Sequence, residues 1–417
     1  MSQIKTSNNN IINRKRIAVF FGGRSPEHDV SVISGLQVLQ ALDQTLYEAF
    51  PVYVATDGAW YVGDGLDKRE NYIPNEQAFK KLTEVSLDVR GTRGGNLIPK
   101  KVPFLGAPSP IRFDVAIPVF HGLYGEDGCI QGLFELANVP YAGMRVKASS
   151  VLMDKVTTKY FLKSLDIPAL PFAVLHRPAE GYLIPEDRLA KLIEPVGFPC
   201  ILKPSHLGSS IGVAKANDVA EAKALLPAIF EFDTSAIVEP FVDNLIEYNV
   251  AVSKVLGLTQ TSAIERPKTS EELLDFKQKY MSGDNSKAGI KGSGNKNFTS
   301  ASEGMLSLTR EINPELPSEL ESNIRDWAVR MFEAIDGTGA PRIDFIGNSE
   351  TGEIWMNEVN PCPGSLGYFL WEASKQEPVF FTDLLTSMIA EAMKENTAQS
   401  LPLDPVPDGA RLLKRSS

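Results

Sequence analysis

Cysteine is scarce in this chain. Only three of its 417 residues are cysteine (Cys129, Cys200 and Cys362), and none forms a C-x-x-C pair. Neither a disulfide framework nor a cysteine-ligated zinc site is therefore suggested, and a reducing cytoplasm is the expected compartment. Histidine is nearly as scarce, and His28, His176 and His206 form no metal-ligand spacing with His121. Long apolar runs are missing, since none approaches the ~20 residues of a membrane span. The opening MSQIKTSNNNIINRKR lacks the apolar centre of a secretory signal and reads as a disordered leader over 1–13. Positive charge is also in deficit. With 42 Lys and Arg against 52 Asp and Glu, the net charge of −10 argues against non-specific nucleic-acid binding. It leaves the sign of any local cluster open. No internal repeat is present.

What remains is an ordinary globular composition, 43% apolar and 23% charged, long enough for about two or three domains. Strand and helix signals alternate, which predicts an α/β class. RIAVFFGG reads as a buried strand, and Val30, Ile33, Leu36, Leu39 and Leu42 follow at helical spacing. Between them, FFGGRSPEHDVS has the shape of a phosphate-binding turn but neither a P-loop Lys-Ser/Thr nor a G-x-G-x-x-G. Ser25 and Pro26 suit a helix start, yet Glu27 puts a carboxylate where a phosphate would sit. Residues 64–112 are polar and read as an insertion, FDVAIPVF as a strand and 151–166 as one helix. Residues 265–301, rich in Lys, Gly, Ser and Asn, have the length and composition of a lid or of a disordered segment.

Three stretches carry candidate chemistry. PRIDFIGNSETGEIWMNEVNPCPG reads as a hairpin whose turn near 350–351 sets Asp344 opposite Glu358. Strand alternation then puts Arg342, Asp344, Glu358 and Asn360 on one face, with Ile343, Phe345, Trp355 and Val359 on the other. Two carboxylates and an amide suit Mg²⁺; a solvated polar face with an Arg–carboxylate pair suits the pattern equally. In CILKPSHLGSSIGVA, Lys203 ends a strand, and the following turn exposes backbone N–H groups with the hydroxyls of Ser209 and Ser210. That is either an anion nest or an ordinary surface turn. In HGLYGEDGCIQG, His121, Glu126 and Asp127 suit acid–base work or a capped helix start. Lys155 by itself reads as a solvated helix lysine.

Together and in this order, GGRSPEHDVS, HGLYGEDGCIQG, ASSVLMDKVTTK, FPCILKPSHLGSSIGV, IVEPFV with IEYNVAV, LLDFKQKY, and GAPRIDF with MNEVNPCPG resemble the D-alanine–D-alanine ligases of the ATP-grasp superfamily. The resemblance runs over roughly residues 17–375. It implies a three-domain ATP-grasp fold: an N-terminal parallel-sheet domain over 14–150, a central domain over 151–242, a C-terminal domain over 243–396 and a tail over 397–417. It implies ATP, two Mg²⁺ ions (with Mn²⁺ as a substitute), amino-acid substrates, a homodimer without nucleic-acid or membrane partners, and a place in peptidoglycan synthesis. By the same resemblance Asp344, Glu358 and Asn360 hold the metal. Lys155 and Lys203 grip the α- and β-phosphates, Ser210 belongs to the loop over them, and Lys279 reaches the γ-phosphate from the lid. Glu239, Phe241 and Val242 lie in the adenine hinge, and Glu247 binds the ribose. Glu27 receives the ammonium of the first amino acid, with Ser209 and Tyr280 as its latch partners. Arg342 stabilises the tetrahedral intermediate, and His121 and Gly364 lie near substrate.

Two segments depart from the family pattern. GSLGYFLWEAS follows Pro363 directly, about four residues shorter than expected by alignment, which sets Tyr368 or Phe369 where a hydroxyl would meet the carboxylate of the second amino acid. The lid runs SKAGIKGSGNKN, lysine-rich, in place of the usual proline-containing path. Both leave the acceptor open: D-alanine first, another amine second. A non-catalytic nucleotide-binding regulator is the reading from another class.

Overall fold

A computed structural model describes residues 14–72, 81–90, 94–101, 109–208, 211–255, 257–268, 310–399 and 406–411. Three sheets organise them. The first comprises β1 (Lys15–Gly22), β2 (Tyr47–Val54), β3 (Trp60–Val62), β4 (Thr83–Leu87), β5 (Gly95–Pro99), β6 (Ile111–Phe113) and β7 (Val115–Pro118), in the order β6-β5-β4-β3-β2-β1-β7. Only the pairings of β1 with β2 and β7 are parallel; the other neighbours are antiparallel. The expected parallel sheet is thus a mixed one. The segment read as an insertion supplies its outer strands, which cover Phe20 with Val85, Leu97 and Phe113. These strands are short and flanked by Gly, Pro and Lys, so their alternation is weak in sequence.

β8 (Ala173–His176), β9 (Cys200–Pro204), β10 (Ala214–Ala216) and β11 (Ser235–Pro240) form the second sheet, in the order β10-β9-β11-β8. β12 (Leu245–Ser253), β13 (Gln260–Pro267), β14 (Arg310–Ile312), β15 (Arg342–Asn348) and β16 (Ile354–Asn360) form the third, in the order β14-β13-β12-β15-β16, antiparallel throughout. No helix among the described residues is long and apolar enough to cross a membrane.

Local chemistry changed two expected helices. The first helix spans His28–Ala41 and begins after Glu27, not at Pro26; Ser25 Oγ accepts from Glu27 N at 3.1 Å. Gly35 lets this helix settle onto β1, because a Cβ there would lie 2.4 Å from the Phe21 ring. The helix expected over 151–166 is two helices, Val146–Met153 and Lys155–Ser164. Asp154 breaks them: it is extended, and its carboxylate accepts from Val156 N and Thr157 N. An aspartate cap starts a helix more cheaply than it continues one.

The hairpin β15–β16 pairs Arg342 with Asn360 and Asp344 with Glu358, as simple alternation predicts. A bulge then shifts the register, so that Phe345 faces Met356. Met356, not Trp355, joins Ile343, Phe345 and Val359 in the core, and Trp355 is only half-buried. One extra residue on a bulged strand reverses the phase of everything beyond it.

Candidate active site

The third sheet turns one polar row toward the second. Asp344 is buried, and its two oxygens accept from Arg342 Nε and Nη2 at 2.6 Å each. Asn360 Nδ2 donates to Asp344 Oδ2 at 3.0 Å. Glu358, alongside, lies 3.4 Å from Lys155 Nζ. Among the described residues no trio of His, Cys, Asp and Glu converges as a metal site; here two carboxylates are completed by amides. All the oxygen donors are hard, which fits Mg²⁺ and its like.

Lysines approach from the other side. Lys155 and Lys159 stand four residues apart on the helix Lys155–Ser164, hence on one face. Lys155 Nζ donates to Leu207 O at 2.6 Å. Lys203, on β9, pairs with Glu239 at 2.6 Å and donates to Asn357 Oδ1 at 3.2 Å. Lys159 pairs with the same Glu239 carboxylate. Burial would raise the Glu239 pKa, but Lys203 and Lys159 outweigh it and hold the carboxyl down at about 2. Burial likewise pulls on the Lys203 ammonium, while Glu239, Glu358 and Glu247 push its pKa upward. This cluster keeps full charges in a nearly dry wall, where an added polyphosphate would meet them unscreened.

Glu27 collects three motifs. A Cβ on Gly122 would lie 2.5 Å from its Oε2, and one on Gly208 would lie 3.2 Å from both oxygens. The turn after β1, the loop after β7 and the loop after β9 therefore meet at one carboxylate, and the left-handed φ of Gly122 (73°) favours glycine at the closest approach. His121 is buried, with Nε2 3.0 Å from Ser34 Oγ; that oxygen also accepts from Ser365 N at 3.0 Å. Burial lowers the His121 pKa to about 4, so the ring is neutral. Glu126 accepts from Gly122 N at 2.7 Å and Cys362 N at 2.8 Å, bridging the first sheet's loop to the end of the third. Burial first, then Glu27, raises its pKa to about 8.

Of the residues expected from sequence, Asp344, Glu358, Asn360, Arg342, Lys155 and Lys203 come together, and Glu27 and His121 lie at the neighbouring loops. Glu247 is on β12, opposite Ile346. In the expected hinge, Glu239 turns its side chain to the lysines, Phe241 N donates to Pro199 O at 3.0 Å, and Val242 is half-buried. Gly364 has open space where a Cβ would stand. Ser209, Ser210, Lys279 and Tyr280, like most of the segment 265–301, lie outside the described residues. Sequence reasoning missed Lys159, Asn357, Ser34 and Glu126 as site residues. The i, i+4 spacing from Lys155 could have flagged Lys159; nothing local marks Ser34, and only the bulge brings Asn357 to this face. A cavity of about 250 Å³ nearby, lined by Leu123, Arg177, His206 and Asp233 among others, contains none of the clustered carboxylates. The donor chemistry, not the volume, picks out the site.

Family models for the two parts of one enzyme family cover this architecture. The D-ala D-ala ligase N-terminus matches residues 16–144, and the D-ala D-ala ligase C-terminus matches 161–305 and 302–390. The chain belongs to the D-alanine–D-alanine ligase family. A D-alanine–D-alanine ligase of Thermosipho africanus is 33% identical over 389 residues, covering 93% of this chain and 96% of the relative. One of Ruminiclostridium cellulolyticum is 32% identical over 394 residues, covering 92% and 96%. Among solved structures, the VanG D-Ala:D-Ser ligase of Enterococcus faecalis superposes with a TM-score of 0.70 at 26% identity, covering 91% of this chain and 99% of that one. D-alanine–D-alanine ligase from Helicobacter pylori gives 0.64 at 27% identity, covering 93% and 100%. The ATP-grasp fold expected from sequence is therefore present, and members of this ligase family form C–N bonds using ATP and a divalent metal.

Proposed function

We propose that the chain joins two D-alanine molecules at the expense of ATP. The carboxylate of the first attacks the γ-phosphorus; ADP leaves and an acyl phosphate forms. The amine of the second attacks the acyl carbon, and the tetrahedral intermediate expels phosphate as the C–N bond is made. Each step concentrates negative charge on oxygens, so the main task of the protein is electrostatic. The observation that carries this reading is the single polar face of Arg342, Asp344, Glu358 and Asn360, with Lys155 directed at it from the helix Lys155–Ser164 and Lys203 from the second sheet.

In this reading Asp344, Glu358 and Asn360 would hold the metal, as two Mg²⁺ or Mn²⁺ ions, which would screen the phosphate oxygens. Lys155 and Lys203 take the phosphates, and Ser210 and Lys279 assist by family resemblance. Glu239, Phe241, Val242 and Glu247 serve the nucleoside. Glu27 takes the donor ammonium, with Ser209 and Tyr280 as resemblance partners. Arg342 meets the developing oxyanion beside Gly364, and His121, neutral and fixed by Ser34, orders the neighbouring loop. The domain division at about 150 and 242, a homodimer, a cytoplasmic location and a role in peptidoglycan synthesis complete the proposal.

The test is phosphate release by purified protein with ATP, Mg²⁺ and D-alanine. ADP, phosphate and the dipeptide should appear in equal amounts. ATP binding without turnover across a panel of amines would instead support the regulator.

A further inference from the structure

The polar face does not stop at the carboxylates. Asn249 stands beside Asp344 across β12–β15, and Glu265 beside Asn249 across β12–β13. Asn249 Nδ2 donates to Glu265 Oε1 at 2.7 Å, and Arg310 Nη1 donates to Glu265 Oε2 at 3.0 Å. Arg310 opposes Pro267, two residues from Glu265, so it lies on the same side of the sheet. The row therefore runs Arg310, Glu265, Asn249, Asp344, Arg342 without a break. With strands ~4.8 Å apart, Glu265 is roughly 10 Å from Asp344.

Glu265 is almost fully buried, whereas the Arg310 side chain remains 26% exposed. The guanidinium also sits over the Phe369 ring, 4.8 Å from its centroid. Two partners of different kinds thus fix one cation at the edge of the cleft. A guanidinium has five donors in a rigid fork, matched to a carboxylate, and one of them serves Glu265. Phe369 belongs to the shortened segment after Gly364. That segment turns through three successive left-handed residues, Ser365 (φ 52°), Leu366 (φ 54°) and Gly367 (φ 61°). The Ser365 hydroxyl is engaged with Gln37, and its N–H with Ser34 Oγ. The aromatic ring that replaces the expected hydroxyl cannot bind a carboxylate, but it steadies a group that can.

We propose that Arg310, braced by Glu265 and Phe369, binds the carboxylate of the acceptor amino acid. The inference rests on the ligase reading above. It makes the acceptor an amine that carries a carboxylate, recognised by charge-assisted hydrogen bonds to a guanidinium.

The test compares D-alanine, D-alaninamide and hydroxylamine as acceptors, each with ATP, Mg²⁺ and D-alanine as donor. Arg310→Lys keeps a cation for Glu265 but loses the fork; Arg310→Met removes both, and the lysine variant carries the test should the methionine variant not fold. In Arg310→Lys, kcat/KM for D-alanine as acceptor should fall at least 30-fold, mostly through KM. Hydroxamate formation and use of D-alaninamide should stay within twofold of the unaltered protein. An unchanged D-alanine KM, or an equal loss with all three acceptors, would overturn the inference while leaving the ligase reading intact. No hydroxamate and no phosphate from the unaltered protein would remove both.

Discussion

The Lys203 ammonium donates to Asn357 Oδ1 at 3.2 Å, joining residues 154 positions apart and tying the second sheet to the third. Asn357 reaches that point because it is the extra residue of the β16 bulge. Replacing it with leucine should raise the KM for ATP roughly tenfold, as expected for losing one hydrogen bond to a charged group, with little change in kcat at saturating ATP. Steady-state kinetics on Asn357→Leu checks this; an unchanged KM would mean the contact does not position Lys203.

Glu358 shares the face of Asp344 but is half-buried and contributes nothing to the apolar core. Glu358→Ala should therefore lower kcat by on the order of 10²–10³-fold and leave the melting temperature within a few degrees. Normal turnover in this variant would remove it from the metal-binding set.

Lys159 is different, because it shares a buried carboxylate with Lys203. Removing one partner from a buried ion pair costs about 3–5 kcal/mol, and Lys203 remaining beside Glu239 puts Lys159→Met near the lower end. Urea unfolding measures the loss. Glu239→Gln should cost more than Lys159→Met, since Lys159 and Lys203 then both lose the carboxylate they share.

His121 gives a pH signature. Its pKa is depressed in the folded chain to about 4 from an ordinary 6.5. Between these values the unfolded chain binds a proton that the folded chain refuses, so stability falls as pH drops from 6.5 toward 4 and is fully present above 6.5. The whole window is worth roughly 3 kcal/mol. In His121→Gln, the loss of stability between pH 6.5 and 4 should be smaller by that order; parallel curves for the two proteins would refute the assignment.

Much of the site was legible in the chain itself. The turn at NSETG brings Asp344 about opposite Glu358, and strand alternation puts Arg342 and Asn360 on the same face; the bulge between Asp344 and Phe345 completes the pairing of Asp344 with Glu358 and of Arg342 with Asn360. Lys203 follows an apolar run and precedes a glycine turn, which puts it at a strand end. The break at Asp154 was present as a capping residue but hidden inside an otherwise helical pattern. The outer strands of the first sheet were illegible: Val85, Leu97 and Phe113 are buried by Phe20, a neighbour far away in sequence.

The order of residues alone determined which groups could share a face, because alternation along a strand and the 3.6-residue turn of a helix are local geometry. It did not determine which faces would meet. Packing decided that Glu239 would be held by Lys159 and Lys203, that Glu27 would lie against Gly122 and Gly208, and that a bulge would turn Asn357 toward Lys203. Each of these depends on contacts between segments tens to hundreds of residues apart, whose free energy is gained only once the sheets are in place.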